Sequence, residues 1–244
     1  PLYHHPARTA ERVATLDLLS GGRVEFGSGE SATTGEMGGF NVNPFEKREQ
    51  WKEGLEVAVR CLTEAPFTGV DGRWVKMPPR NVVPKPFQRP HPPLWVACTQ
   101  RETIRLAASK GIGALSFGFV EPGEAEEWVG EYYDIIRSDA CVPAGFSVNA
   151  NIACALPFMC HEDENEAIDR GLDGAHFFGY SLGHFYGFGN HQPGVTDIHE
   201  QFLANRTLFG FAREAAAQVG VGLRARMTKE VDGMDEGIAS LRGA

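Results

Sequence analysis

The stretch Cys98-Thr99-Gln100-Arg101-Glu102-Thr103 holds the residue types that an anion needs. An apolar run, Leu94 to Cys98, leads into it, and Thr103, Leu106 and Ala107 follow at helical spacing, so a strand delivers the chain to a helix N-terminus. Free N–H groups and the helix macrodipole make such a corner a phosphate cradle. Thr99 and Glu102 have the spacing of a capping box. Arg101 adds a cation and Thr103 a hydroxyl. Every strand-to-helix corner shares part of this arrangement, and most hold no anion.

Two other stretches carry candidate chemistry. Ser28 to Phe40 is rich in glycine and small polar residues and lies beyond the C-terminal end of a strand. That is the face where α/β sheets bind ligands, although a plain connection fits as well. Gly174 to Gln192 gathers His176, His184 and His191 with Phe177, Phe178, Phe185, Phe188, Tyr180 and Tyr186. A helix through Tyr180 and His184 could line a ligand cavity, or the rings could simply pack together. His176 and His184 stand eight apart with no Cys or carboxylate at ligand spacing, so no metal is expected.

The elements that position these residues follow from spacing. Pro6 suits the first position of a helix, and Ala7, Ala10, Val13, Ala14 and Leu18 form one apolar face behind it. Ser20-Gly21-Gly22 stops the helix, and Arg23 to Gly27 reads as a short strand. Lys47 to Glu64 predicts a helix with Trp51, Leu55, Ala58, Val59 and Leu62 on one face. Between Phe67 and Gln88 the prolines forbid helix, and Gly72 to Met77 could be a small strand. His91 to Cys98 is apolar throughout, as in a parallel strand covered on both faces. Further strands are expected at Ala114 to Phe117 and Phe146 to Ala155. Helices are expected near Glu124 to Arg137, Glu162 to Leu172 and Leu208 to Gln218. The alternation predicts an α/β fold with a parallel sheet. About four strands are convincing, where a (β/α)8 barrel needs eight.

Composition narrows the classes. With 244 residues, one or two domains are open. A net charge of −9 argues against nucleic acid or an anionic membrane as the main partner. No apolar run approaches the ~20 residues of a membrane span, and no signal-peptide pattern opens the chain. The five cysteines include no C-x-x-C pair, which fits a reducing, cytoplasmic setting better than disulfides or a metal site.

Particular stretches carry a more specific likeness. His5-Pro6-Ala7-Arg8, the run Ala14 to Arg23, and Phe26-Gly27 resemble the luciferase-like flavin monooxygenases. Pro84-x-Pro86-x-Gln88-x-Pro90 through Ala97 is similar to that family's approach to its fifth barrel strand, and Gly111-x-Gly113-Ala114-Leu115 to its sixth. The resemblance implies a TIM-type (β/α)8 barrel, with residues 1–244 forming one partial domain. Strands expected before Pro1, with a histidine linked to catalysis, and a last βα unit after Ala244 lie outside the sequence. The catalytic residue is therefore left unassigned.

The resemblance also implies a site. Thr99 and Gln100 would offer N–H groups to a flavin phosphate, Thr103 would add its hydroxyl, and Ser116 and Phe117 would lie beside the ring. Glu30 stands where bacterial luciferases have a phosphate-binding arginine, and Gly29 where they have a reactive cysteine; Arg101 is the candidate to replace the missing charge. The implied cofactor is reduced FMN, used with O2 on a small organic substrate, with a separate flavin reductase and a homodimer as partners. The alternatives are an F420-dependent dehydrogenase and a non-catalytic flavin-binding protein.

Overall fold

The computed structural model describes residues 2–31, 33–117, 122–155 and 158–205, and the chain divides into two units, Pro1–Leu156 and Pro157–Ala244. The first unit opens with helix α1, Pro6–Ser20. Its N-cap is His5, whose Nδ1 accepts the Ala7 N–H. Gly21 ends it at φ +65°, a left-handed conformation that costs glycine nothing. The buried face is Pro6, Ala10, Ala14 and Asp17; Leu18, expected inside, is exposed.

Strand β1 is Phe26–Ser28, slightly later than expected. The glycine-rich stretch after it is not wholly a connection: helix α2, Thr34–Gly39, forms there, capped by the Thr33 hydroxyl accepting from Glu36 N. Helix α3, Lys47–Thr63, buries Trp51, Leu55, Ala58, Val59 and Leu62 as its spacing requires and packs along α1. Strands β2 (Val70–Asp71) and β3 (Lys76–Met77) form a two-stranded antiparallel hairpin where one small strand was expected. The Glu53 carboxylate fixes its turn, accepting from the amides of Arg73, Trp74 and Val75 at 3.0, 2.9 and 2.7 Å.

The core of this unit is a four-stranded parallel sheet, an open arc of a (β/α)8-type barrel. Strands β4 (Leu94–Cys98), β5 (Gly113–Phe117) and β6 (Ile152–Ala155) follow β1 in the order β1-β4-β5-β6. Helices α4 (Arg101–Ser109) and α5 (Pro122–Ile136) pack against each other beside it. Register puts Phe26, Leu94, Val96, Cys98, Ala114 and Ser116 on one buried face. Gly27, Trp95, Ala97 and Leu115 share the other, where Leu115 is 47% exposed. The expectation that the run from His91 to Cys98 is a strand covered on both faces is therefore corrected. Within this unit, among the described residues, the helices cover one face only.

The strand expected at Phe146 to Ala155 pairs in the sheet only from Ile152. The residues before it are held by side chains instead: Phe146 N donates to His91 Nε2 at 2.9 Å, and Asn149 Nδ2 to the Leu94 carbonyl at 3.0 Å. The second unit holds helix α6, Glu164–Gly183, longer than expected, a π-helical turn over His184–Phe188, and helix α7, Ile198–Asn205. Asp163 caps α6, and Glu164 and Glu166 complement its dipole. Here Phe177 and Tyr180 pack on Phe202 with ring centroids 5.5 and 5.6 Å apart, so part of the aromatic stretch is core. The helix expected at Leu208 to Gln218 lies outside the described residues. No helix among them is long and apolar enough to cross a membrane.

Candidate flavin-phosphate corner

The C-terminal ends of β1, β4 and β5 lie side by side, because the three strands are parallel neighbours. Gly29 and Glu30 follow the first, Thr99 and Gln100 follow the second, and Ser116 and Phe117 end the third. The sequence-derived residues of strand ends and loops are thus brought to one edge of the sheet. Ser28 stitches this edge together: its hydroxyl accepts from Trp51 Nε1 and donates to the Trp95 carbonyl, both at 3.2 Å. A Cβ at Gly29 would come no closer than 3.9 Å to Ala97, so the surface there is shallow.

Helix α4 starts differently from expectation. Its N-cap is Gln100, not Thr99, and the Gln100 carbonyl accepts from Thr103 N at 3.0 Å and Ile104 N at 3.3 Å. The Gln100 side chain makes no capping hydrogen bond. Glu102 does not reach back to close a capping box. It bonds Arg48 at 2.6 Å instead. The first amides of α4 have no intrahelical carbonyl in reach, so an anion can take them. Thr103 is buried in the first turn.

Arg101, the expected cation, already has carboxylate partners. It turns toward α5, where Glu131 lies 2.8 Å from its Nε and Glu127 lies 3.7 Å from its Nη1, and Arg105 shares Glu131. Those carboxylates raise its pKa and engage its charge, the hydrogen bond it donates to Glu131 foremost. Another cation stands beside this corner, Arg48 in the first turn of α3, which sequence reasoning missed. Its Nε lies 3.2 Å from both oxygens of Glu30, and its Nη1 2.6 Å from Glu102. The hydrogen bond it donates to Glu30 is the main reason its pKa is raised. The Glu30 side chain is 11% exposed and that of Glu102 70%. Glu30 therefore holds Arg48 from beneath, and Glu102 holds it from solvent.

Two neighbours complete the picture. Burial pushes the Cys98 thiol up to about 12, so it stays protonated and is no nucleophile. Ser116 is buried beside Cys98 on the helix-covered face, and Phe117 is in register with Ala155. A separate groove of about 400 Å3, lined by Leu55, Arg60, Lys110, Ile112 and Phe146, lies at the other ends of the strands.

The 4-hydroxyprotoasukamycin monooxygenase of Streptomyces nodosus subsp. asukaensis is 28% identical over 175 residues, 70% of this chain and 47% of that protein. The curated relatives are matched over 33–49% of their length. Among solved structures, the oxygenating constituent of 3,6-diketocamphane monooxygenase from Pseudomonas putida, a type II Baeyer-Villiger monooxygenase in complex with FMN, superposes with a TM-score of 0.58. It is 18% identical, over 74% of this chain and 53% of that one. An F420-dependent secondary alcohol dehydrogenase in complex with an F420-acetone adduct also reaches 0.58, at 14% identity, covering 80% of this chain and 59% of that one. Both show the fold. The model of the luciferase-like monooxygenases matches residues 1–241. The chain belongs to that family.

Proposed function

We propose that this chain binds reduced FMN with its phosphate at the start of α4, and serves the oxygenation of a small organic substrate by O2. The observation that carries the reading is the uncapped N-terminus of α4 beside an arginine that Glu30 holds in place. The amides from Thr99 to Glu102, the Thr103 hydroxyl and the Arg48 guanidinium are the donors a phosphate monoester needs. Arg48 thus answers the loss of charge that Glu30 brings to this position.

When bound, the flavin supplies the redox and oxygen chemistry, and the protein supplies binding, orientation and exclusion of water. Phosphate binding at α4 fixes where the ring can lie. The backbone at the end of the adjacent strand, at Ser116 and Phe117, would border it. The open sheet face of Gly27, Trp95, Ala97 and Leu115 offers an apolar wall to ring and substrate. A separate flavin reductase would deliver the reduced cofactor. A homodimer is proposed as well, since the outer edge of β1 is unpaired among the described residues and such edges recruit partners.

Anaerobic titration of the purified chain with reduced FMN and with reduced F420 tests the cofactor, followed by exposure to O2 with aldehydes and ketones. Tighter binding of FMN, with oxygen-dependent product, is expected. Binding of F420 alone, with hydride transfer in the absence of O2, would establish the dehydrogenase instead.

A further inference from the structure

The ion pairs around Arg48 have a consequence beyond holding it still. Glu30, Arg48 and Glu102 carry together one positive and two negative charges. A dianionic phosphate approaching α4 meets one carboxylate already on the guanidinium it needs. The two carboxylates are not equivalent. Glu30 is almost buried and spans Arg48 Nε with both oxygens, so it cannot leave without stranding a charge. Glu102 is mostly exposed, sits on the second residue of α4, and bonds the outer nitrogen, Nη1. Releasing an exposed carboxylate to water costs little.

We infer that Glu102 is a displaceable placeholder for the ligand phosphate. In the free protein its carboxylate neutralises Arg48 and keeps the guanidinium extended over the start of α4. On binding, the phosphate takes Nη1 and the helix amides, and Glu102 swings into solvent. Glu30 stays and aims Arg48, so it is a positioning residue. The inference rests on the flavin-phosphate reading of the corner. Its effect is selectivity: Glu102 weakens every ligand that carries a phosphate there and leaves the ring's own contacts untouched.

The test is Glu102→Gln, titrated with FMN and with riboflavin by flavin fluorescence, beside Arg48→Gln. The side chain is exposed and the amide is of the same size, so the thermal midpoint is expected to stay within about 2 °C of the parent. Removing one competing and repelling charge is expected to tighten FMN about three- to tenfold and leave riboflavin unchanged. Arg48→Gln is expected to weaken FMN and not riboflavin. If Arg48→Gln weakens FMN selectively while Glu102→Gln leaves it unchanged or weaker, the corner stands and the placeholder is refuted. If neither substitution moves FMN relative to riboflavin, the phosphate binds elsewhere and both fall.

Discussion

Asp17 has no accessible surface, yet it is a carboxylate at the end of α1. Gln88 explains it: its backbone N–H and its side-chain Nε2 reach the two Asp17 oxygens, each at 2.8 Å, and Nε2 also donates to the Val24 carbonyl at 2.7 Å. One side chain thereby ties the end of α1, the approach to β1 and the approach to β4, the elements whose ends carry the candidate site. Asp17→Asn keeps the shape but turns one acceptor into a donor facing a donor. It loses one charge-assisted hydrogen bond, about 1.5–3 kcal/mol, and leaves a buried donor unsatisfied, about 1–3 kcal/mol. Relief of the buried charge returns part of this, so the expected loss is about 3 kcal/mol, or about 6–12 °C in the thermal midpoint of a domain this size. Burial alone would push the Asp17 carboxyl up, but the hydrogen bonds from Gln88 outweigh it and hold the pKa below the ordinary 3.8. A lowered pKa stabilises the folded state above the ordinary value and loses that contribution as pH falls through the folded one. Calorimetry of parent and variant should therefore show a gap constant from pH 8 to pH 5 and narrowing below about pH 4. A loss under about 1 kcal/mol at pH 7, or a gap that widens in acid, refutes the reasoning.

Gly113→Ala would place a Cβ 2.6 Å from the Trp95 ring and 2.5 Å from Asn149 Nδ2, and is expected to cost about 1–3 kcal/mol in urea unfolding. Tyr132→Phe removes the hydroxyl that lies 2.9 and 3.1 Å from the Ile112 and Asn149 carbonyls, to which its one hydrogen is shared, and should cost about 1–2 kcal/mol in the same assay. His91 is buried, which lowers its pKa, and its Nε2 accepts from Phe146 N at 2.9 Å, so the neutral ring is the folded form. Its contribution is complete above the ordinary value of 6.5 and declines as pH falls below it. Urea midpoints of the parent should drop between pH 7 and pH 5.5 by more than those of His91→Gln.

The sequence was informative where a residue's type dictates local structure. Pro6, Gly21 and the α3 stripe named their helices, and Leu94 to Cys98 and Ala114 to Phe117 named their strands. The Gln88 of the proline-rich approach appeared only as part of a motif, and its bond to Asp17 supplies the physical reason for it. The start of α4 was placed one residue early, because Thr99 and Glu102 have capping-box spacing and nothing local reveals that Arg48, far away in sequence, takes Glu102. The same distance hid the cation itself. Arg101 is adjacent to the corner in sequence but faces Glu131, whereas Arg48 is brought there by the packing of α3. Which partner an exposed charge chooses is decided by tertiary neighbours, and spacing carries no record of them.

The central claim, that the start of α4 binds the flavin phosphate, is tested most directly by Thr103→Ala titrated with FMN and with riboflavin. Thr103 lies buried in the first turn of α4, where its hydroxyl would serve the phosphate and not the ring. A hydrogen bond to a charged group is worth about 1.5–3 kcal/mol, so FMN should weaken by about tenfold or more. Riboflavin, lacking the phosphate, should keep its affinity. Equal losses for the two ligands, or none for FMN, would contradict the account.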